Sequence, residues 1–296
     1  MTSHAQIHDL ASSCSRNTRP RRLTGTRYIW SSAILLDMTG SRVTLPMEER
    51  YSDVADQAVT VVVRGEPTPA LLFQPTRPGS FPGIVTGQEA TGPNRFIRRI
   101  AATLAHLGYV ALVPDYYHGG GPPDHENYDD IETIIEHMAV LDFRRGAYDL
   151  VEAVEHLKRL PNVDRDRLGL WGYCTGATIT LLSACLRNDL AATILFYPSQ
   201  PRFDTLAVNT PVHAIDMVWN LTSPVLLIVG EDDLVWPPEL VADVRQRLTQ
   251  WEIDHVIKIY PGAGHAFCSP SPTFHNADAE QAAWGDALRF LAAHLQ

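Results

Sequence analysis

Leu168-Gly169-Leu170-Trp171-Gly172-Tyr173-Cys174-Thr175-Gly176-Ala177 is the stretch on which the fold turns. Leu168 to Trp171 is a short apolar run that reads as a buried strand, and the apolar residues from Thr175 to about Leu186 read as a helix that starts at once behind it. Strand, Gly-x-nucleophile-x-Gly and helix form the pattern of a nucleophile elbow. A turn this tight strains its central residue, and only residues without a Cβ let neighbouring backbone pass close by. The central position holds Cys174, with the positive end of the following helix behind the sulfur, where a thiolate is favoured. The same five residues also fit a simple strand-to-helix turn around a buried cysteine. The rest of the chain has to decide between the two.

At 296 residues, with 45% apolar side chains, the chain can bury a real core. A formal charge of −10 argues against a nucleic-acid partner. It also means that any attraction for an anionic substrate has to come from a local patch. Cys14, Cys174, Cys185 and Cys268 are widely spaced, with no CxxC pair, which argues against a disulfide framework or a zinc site. The loop residues Asp115, His118, Asp124 and His125 have no recognised ligand spacing, so no metal is expected there. No apolar run is long enough to span a bilayer. Residues 1–45 read as an N-terminal extension. Up to Asp37 it is rich in Ser, Thr and Arg, as in a transit-type leader, but without a clean secretory pattern; a start at Met38 or Met47 fits as well. Residues 46–296 form the expected domain, and the location expected is cytoplasmic.

Val59 to Val63 reads as a strand, Arg64-Gly65-Glu66-Pro67 as a turn, and Ala70 to Gln74 as the hairpin partner. Apolar strands follow at Ile84 to Thr86, Tyr109 to Val113, Leu168 to Trp171, Ala192 to Tyr197, Val225 to Val229 and Val256 to Tyr260. Between them the pattern predicts a helix capped by Asn94 and running to about Leu107. A helical stretch from Ile131 to Leu160 breaks near Asp142-Phe143, and helices follow over Pro237 to Gln250 and Ala277 to Leu295. Gln200 to Thr222 shows little periodicity. Apolar strands alternating with helices predict one α/β domain, with a mostly parallel sheet of about eight strands covered on both faces.

A nucleophilic cysteine needs a base and a group that orients the base. The strand after Val225 runs into Gly230-Glu231-Asp232-Asp233, with Trp236-Pro237 beyond. The next strand runs into Tyr260-Pro261-Gly262-Ala263-Gly264-His265-Ala266-Phe267. Nucleophile, acid and histidine, each after a strand and in that order, match the α/β-hydrolase arrangement. The Gly-Tyr-Cys-x-Gly elbow, the acidic turn four residues before Pro237, Ala-Gly-His-x-Phe, Gln88-Glu89-Ala90-Thr91-Gly92-Pro93-Asn94 and Pro114-Asp115-Tyr116-Tyr117 together resemble the dienelactone hydrolases (carboxymethylenebutenolidases).

That resemblance, from about Val59 to the C-terminus, implies an α/β-hydrolase fold and a Cys174–His265–Asp233 triad, with Asp233 preferred to Asp232 by its spacing to Pro237. It implies that Glu89 holds the thiol at rest and takes its proton. Backbone N–H groups of Thr175 and Ala90 are expected to form the oxyanion hole. Tyr117, Trp236 and Phe267 are expected as pocket walls, and each fits the core as well. The family's best-studied members bind a substrate carboxylate with arginines near the Asp-x-Tyr turn and after the catalytic histidine. Here those segments read His118-Gly119-Gly120 and Cys268-Ser269-Pro270, with His118 as a partial substitute. The expected activity is hydrolysis of a small-molecule lactone or activated ester through an acyl-enzyme, without metal or organic cofactor, by a monomer or weak homodimer with no membrane partner. A broad carboxylesterase or thioesterase, or a catalytically silent binding protein of the same fold, are the competing expectations.

Overall fold

The computed structural model describes residues 29–31, 34–36 and 50–295. Within the expected extension, β1 (Ile29–Ser31) and β2 (Ile34–Leu36) pair antiparallel; its other residues lie outside the described ones.

The main sheet is built from β3 (Val54–Val63), β4 (Glu66–Pro75), β5 (Phe81–Gly87), β6 (Val110–Pro114), β7 (Val163–Tyr173), β8 (Ala192–Phe196), β9 (Val225–Gly230) and β10 (His255–Tyr260). These eight strands lie in the order β10-β9-β8-β7-β5-β6-β4-β3. β3 pairs antiparallel with β4 and β4 with β6, and the remaining strands are parallel. The hairpin joining β3 and β4 turns at Arg64 and Gly65, both with positive φ, 51° and 91°; two successive positive values are what a two-residue turn between twisted strands requires. β5, β6, β8 and β9 are buried at every residue. Such strands have covered faces on both sides, which is why their sequences are apolar throughout instead of alternating.

Two core clusters supply the cover. On one face α1 (Arg95–His106) and α6 (Ala277–Leu295) bring Phe96, Ile97, Ile100, Trp284, Leu288 and Leu291 against the sheet. On the other face α3 (Phe143–Arg159), α4 (Thr175–Ala184) and α5 (Pro238–Gln250) do the same with side chains such as Phe143, Leu150, Ile179, Val241 and Leu248. The sheet is thus sandwiched as the strand pattern predicts, in the α/β-hydrolase arrangement. Asn94 caps α1 by accepting the Ile97 N–H at 3.0 Å, and Gly108, at φ 98°, ends it. The helical stretch after residue 130 breaks where expected: α2 (Ile131–Val140) stops, Leu141 is extended, and Asp142 caps α3 through the Arg145 N–H at 2.9 Å. The segment read as aperiodic, Gln200 to Thr222, contains one 3-10 stretch, Ala214–Asn220.

Candidate active site

Cys174 stands between β7 and α4 with φ 49° and ψ −117°. A non-glycine residue in that region costs on the order of 1–3 kcal/mol and persists only where its surroundings over-determine it. Here they do. The Cys174 N–H donates to the Phe196 carbonyl at 3.0 Å, and the Cys174 carbonyl accepts from Ala177, Thr178 and Ser199 at 3.0, 3.2 and 3.1 Å. The flanking glycines are needed for close approach: a Cβ on Gly176 would lie 2.1 Å from the Gln88 carbonyl oxygen, and one on Gly172 would lie 2.6 Å from the Gly176 carbonyl oxygen. Both would meet backbone, which cannot swing aside as a side chain can. The elbow therefore locks the end of β5 to the start of α4 and leaves the sulfur partly exposed at the helix N-terminus.

β9 and β10 are neighbours in parallel register, Tyr260 beside Gly230, so the loops that follow them leave the sheet side by side. The two loops are tied by the Asp232 N–H, which donates to the Ala263 carbonyl at 2.9 Å. Asp232 thus spends its backbone on the histidine loop and keeps its side chain exposed, whereas the Asp233 carboxylate is fully buried. Asp233 Oδ2 lies 2.9 Å from His265 Nδ1, and Oδ1 accepts the Val235 N–H at 2.9 Å. His265 Nε2 in turn lies 3.3 Å from Cys174 Sγ. Burial alone would lower the His265 pKa, but the negative Cys174 sulfur and the Asp233 hydrogen bond outweigh it and raise it to about 10. The geometry sets the imidazole between the Cys174 sulfur and a buried carboxylate, both of which favour its protonated form.

Glu89 is buried, 3% exposed, and its carboxylate faces three hydroxyls: Ser269 at 2.6 Å and Tyr197 at 3.4 Å on Oε1, and Tyr128 at 2.9 Å on Oε2. Burial raises its pKa, while those hydroxyl donors and the nearby His265 charge favour the ionised form. The contact with the resting thiol expected for Glu89 is not the one formed, since the sulfur faces His265 and the glutamate oxygens are taken up by the hydroxyls. No local pattern in the sequence marks Ser269, Tyr128 and Tyr197 as partners of Glu89. Tyr197 carries a positive φ of 38° directly after β8 and sets its ring edge against His265 at 5.4 Å between centroids.

The loop after β5 is clamped from below by the turn after β6. Tyr116 donates its hydroxyl to the carbonyls of Gln88 and Glu89, both at 2.9 Å, Tyr117 donates to the Ala90 carbonyl at 2.9 Å, and Gln88 donates to Asp115 at 3.2 Å. The Glu89 carbonyl also accepts the Gly92 N–H at 3.0 Å. That carbonyl belongs to the peptide whose N–H is Ala90's, so the clamp fixes that N–H. Among the described residues, neither the Ala90 N–H nor the Thr175 N–H meets an acceptor.

Three expected pocket residues lie elsewhere. His118 is turned away into a pair with buried Asp149, Nε2 to Oδ2 at 2.9 Å, with Thr68 and Arg145 around its other nitrogen. Trp236, 2% exposed, donates its indole N–H to the Pro198 carbonyl at 2.7 Å, and Phe267, 0% exposed, packs between Tyr197 and Tyr260. Both are core side chains, because the residues that reach the site from their loops are Asp233 and His265. The histidines and acids of the 115–125 loop each hold a separate partner: Asp115 accepts from the Tyr117 and Gly119 N–H groups, Asp124 from the Glu126 N–H, and His125 bonds the Thr91 carbonyl. No group of three or more His, Cys, Asp or Glu side chains among the described residues is arranged to hold a metal ion.

The family model described as the dienelactone hydrolase family matches residues 68–295, a span that includes Glu89, Cys174, Asp233 and His265. The chain belongs to the dienelactone hydrolase family. A Bradyrhizobium protein assigned as a 2-oxo-3-(5-oxofuran-2-ylidene)propanoate lactonase is 31% identical over 242 residues, covering 82% of this chain and 96% of that protein. A Salmonella typhimurium protein assigned as a carboxymethylenebutenolidase is 32% identical over 232 residues, covering 77% of this chain and 84% of that one. The solved structure of a Klebsiella pneumoniae protein assigned as a dienelactone hydrolase superposes with a TM-score of 0.73 at 27% identity, over 81% of this chain and 98% of that chain. Like these members of the dienelactone hydrolase family, the chain is a hydrolase. No helix among its described residues is long and apolar enough to cross a membrane.

Proposed function

We propose that this dienelactone hydrolase family member cleaves a lactone or activated ester through a covalent acyl-enzyme on Cys174. The observation that carries the proposal is the unbroken line Cys174 Sγ, His265 Nε2 at 3.3 Å, His265 Nδ1, Asp233 Oδ2 at 2.9 Å, beside two backbone N–H groups with no acceptor. The thiolate attacks the carbonyl carbon, forming an S–C bond, and the oxyanion is received by the N–H groups of Ala90 and Thr175. The C–O bond then breaks, and the departing alkoxide or enolate takes the proton of the His265 imidazolium. In the acyl-enzyme the sulfur carries no charge, so the attraction that raised the His265 pKa is gone. The neutral imidazole, oriented by Asp233, then removes a proton from water, hydroxide attacks the thioester, and the C–S bond breaks to restore the thiolate.

Sulfur is also a good leaving group, so such a site suits esters and lactones whose own leaving group is stable, and amides poorly. Glu89 accepts no thiol proton in this arrangement; its part is to hold the hydroxyls of Ser269, Tyr128 and Tyr197 beside the imidazolium. The same site would serve a broad carboxylesterase or thioesterase. A silent binding protein would have no need of the aligned triad. The test is rapid mixing with p-nitrophenyl acetate. A burst of p-nitrophenol close to one equivalent per chain is expected, lost in Cys174→Ala and after iodoacetamide; full turnover by alkylated protein would overturn the nucleophile assignment.

A further inference from the structure

A cleft of about 560 Å³ opens beside the triad. Ile135, Met138 and Ala139 of α2 form one wall, and Val235 and Leu240 face them. Two of its lining residues tie it to the catalytic groups. Ser199 gives its N–H to the Cys174 carbonyl at 3.1 Å, and its hydroxyl lies 3.2 Å from Thr175 Oγ1, itself 3.8 Å from the Cys174 sulfur. Val235 gives its N–H to the Asp233 carboxylate at 2.9 Å. These bonds set the cleft next to the catalytic groups, within reach of an acyl or alkoxy chain extended from the reacting carbonyl on this side.

The charges of the cleft decide what it takes. Its one cation, Arg202, is committed, with nitrogens 3.0 Å from an Asp243 oxygen and 3.6 Å from an Asp216 oxygen. Asp204 lines the same cleft. A carboxylate placed there would meet an acid and find its only countercharge already shared between two others. An uncharged chain instead removes apolar surface from water on both sides, a gain of about 25 cal/mol for each Å².

We infer that the substrate group beside the scissile bond is uncharged and apolar, and that it lies between α2 and the residues after β8 and β9. The inference rests on the Cys174 hydrolase proposal and narrows it to neutral, chain-bearing esters or lactones. α2 contributes no buried residue to the core, so its inner face is free to be shaped by substrate preference.

The test compares kcat/KM of the full chain for p-nitrophenyl acetate, p-nitrophenyl hexanoate and mono-p-nitrophenyl adipate. The last two share a six-carbon acyl chain and differ in a terminal carboxylate. Hexanoate is expected to exceed acetate by about tenfold, and the adipate monoanion to fall at least tenfold below hexanoate. In Met138→Lys the adipate-to-hexanoate ratio should rise about tenfold or more. Adipate turned over as well as hexanoate, or a ratio unmoved in Met138→Lys, overturns the inference and leaves the hydrolase proposal standing. Failure to cleave any of the three esters overturns both.

Discussion

Tyr116 is the residue whose smallest change should be felt most clearly in catalysis. Its hydroxyl lies 2.9 Å from the Glu89 carbonyl, the acceptor end of the peptide that presents the Ala90 N–H. Removing the hydroxyl leaves that carbonyl with the Gly92 N–H alone, so the peptide is still satisfied but less firmly aimed and less polarised. A net hydrogen bond is worth about 1 kcal/mol. Tyr116→Phe is expected to lower kcat by about five- to tenfold with KM within about twofold, measured in steady state on p-nitrophenyl acetate. A purely structural role would instead lower the melting temperature and leave kcat alone. At this scale the sequence was legible where chemistry dictates residue type: Cys174, His265 and an acid at the end of β9. It was not legible where orientation decides. Asp232 and Asp233 are neighbours with the same side chain, and it is the tie from the Asp232 N–H to the Ala263 carbonyl, with the Val235 N–H on the Asp233 carboxylate, that leaves one outward and the other at His265. The same blindness covers Trp236 and Phe267, aromatic residues beside site loops that point into the core. Glu89 collects Tyr128, Tyr197 and Ser269 from 39, 108 and 180 residues away, which no local pattern could announce.

Among elements, the contact between the end of β5 and the start of α4 fixes where the sulfur stands. Gly176→Ala would push a Cβ to 2.1 Å from the Gln88 carbonyl oxygen and 2.4 Å from the Gly87 carbonyl carbon. Strand and helix would have to separate, and overpacking of this kind costs typically about 1–3 kcal/mol and sometimes more. Gly119→Ala is the contrast: its φ of 83° is unfavourable for alanine, yet a Cβ there meets open space, whereas Gly176 is helical and only the close approach opposes a Cβ. Urea unfolding is expected to show a loss of about 3 kcal/mol or more for Gly176→Ala and about 1 kcal/mol for Gly119→Ala; equal losses would mean that the close approach is not what requires glycine. The elements themselves were the most legible level of the chain. Fully buried strands and one-sided helices leave a direct imprint on apolar spacing, and Asn94 and Asp142 mark helix starts by their capping chemistry. The 3-10 stretch from Ala214 to Asn220 is too short to leave such an imprint.

At the scale of the whole molecule, the raised pKa of His265 couples the site to stability. The native His265 pKa of about 10 stands above its ordinary 6.5, so the folded chain holds that proton more tightly than the unfolded one. Above about pH 6.5 the unfolded histidine releases a proton that the native His265 keeps. Stability must therefore fall as pH rises towards and through about 10. In Cys174→Ala the attraction of the sulfur is absent, the His265 pKa drops, and this alkaline loss shrinks. Melting temperatures between about pH 8.5 and 10.5 should fall more steeply for the native chain than for Cys174→Ala; parallel curves would mean that the sulfur and the imidazole are not paired as ions. The covered sheet and the order of nucleophile, acid and histidine along it were readable from sequence because topology here follows chain order. The electrostatic coupling was not, since it depends on a separation of 3.3 Å between residues 91 positions apart.

The positive φ of Cys174 is sustained by bonds from its own backbone and by glycines on either side, none of which involves the sulfur. The elbow is therefore a socket, indifferent to the atom it presents. A serine seated there would keep the backbone and the two free N–H groups but carry no charge at rest, so the histidine opposite would lose its reason to be a cation. One atom, exchanged in an unaltered mount, would take away the attraction that lifts the His265 pKa and leave the rest of the site as it stands.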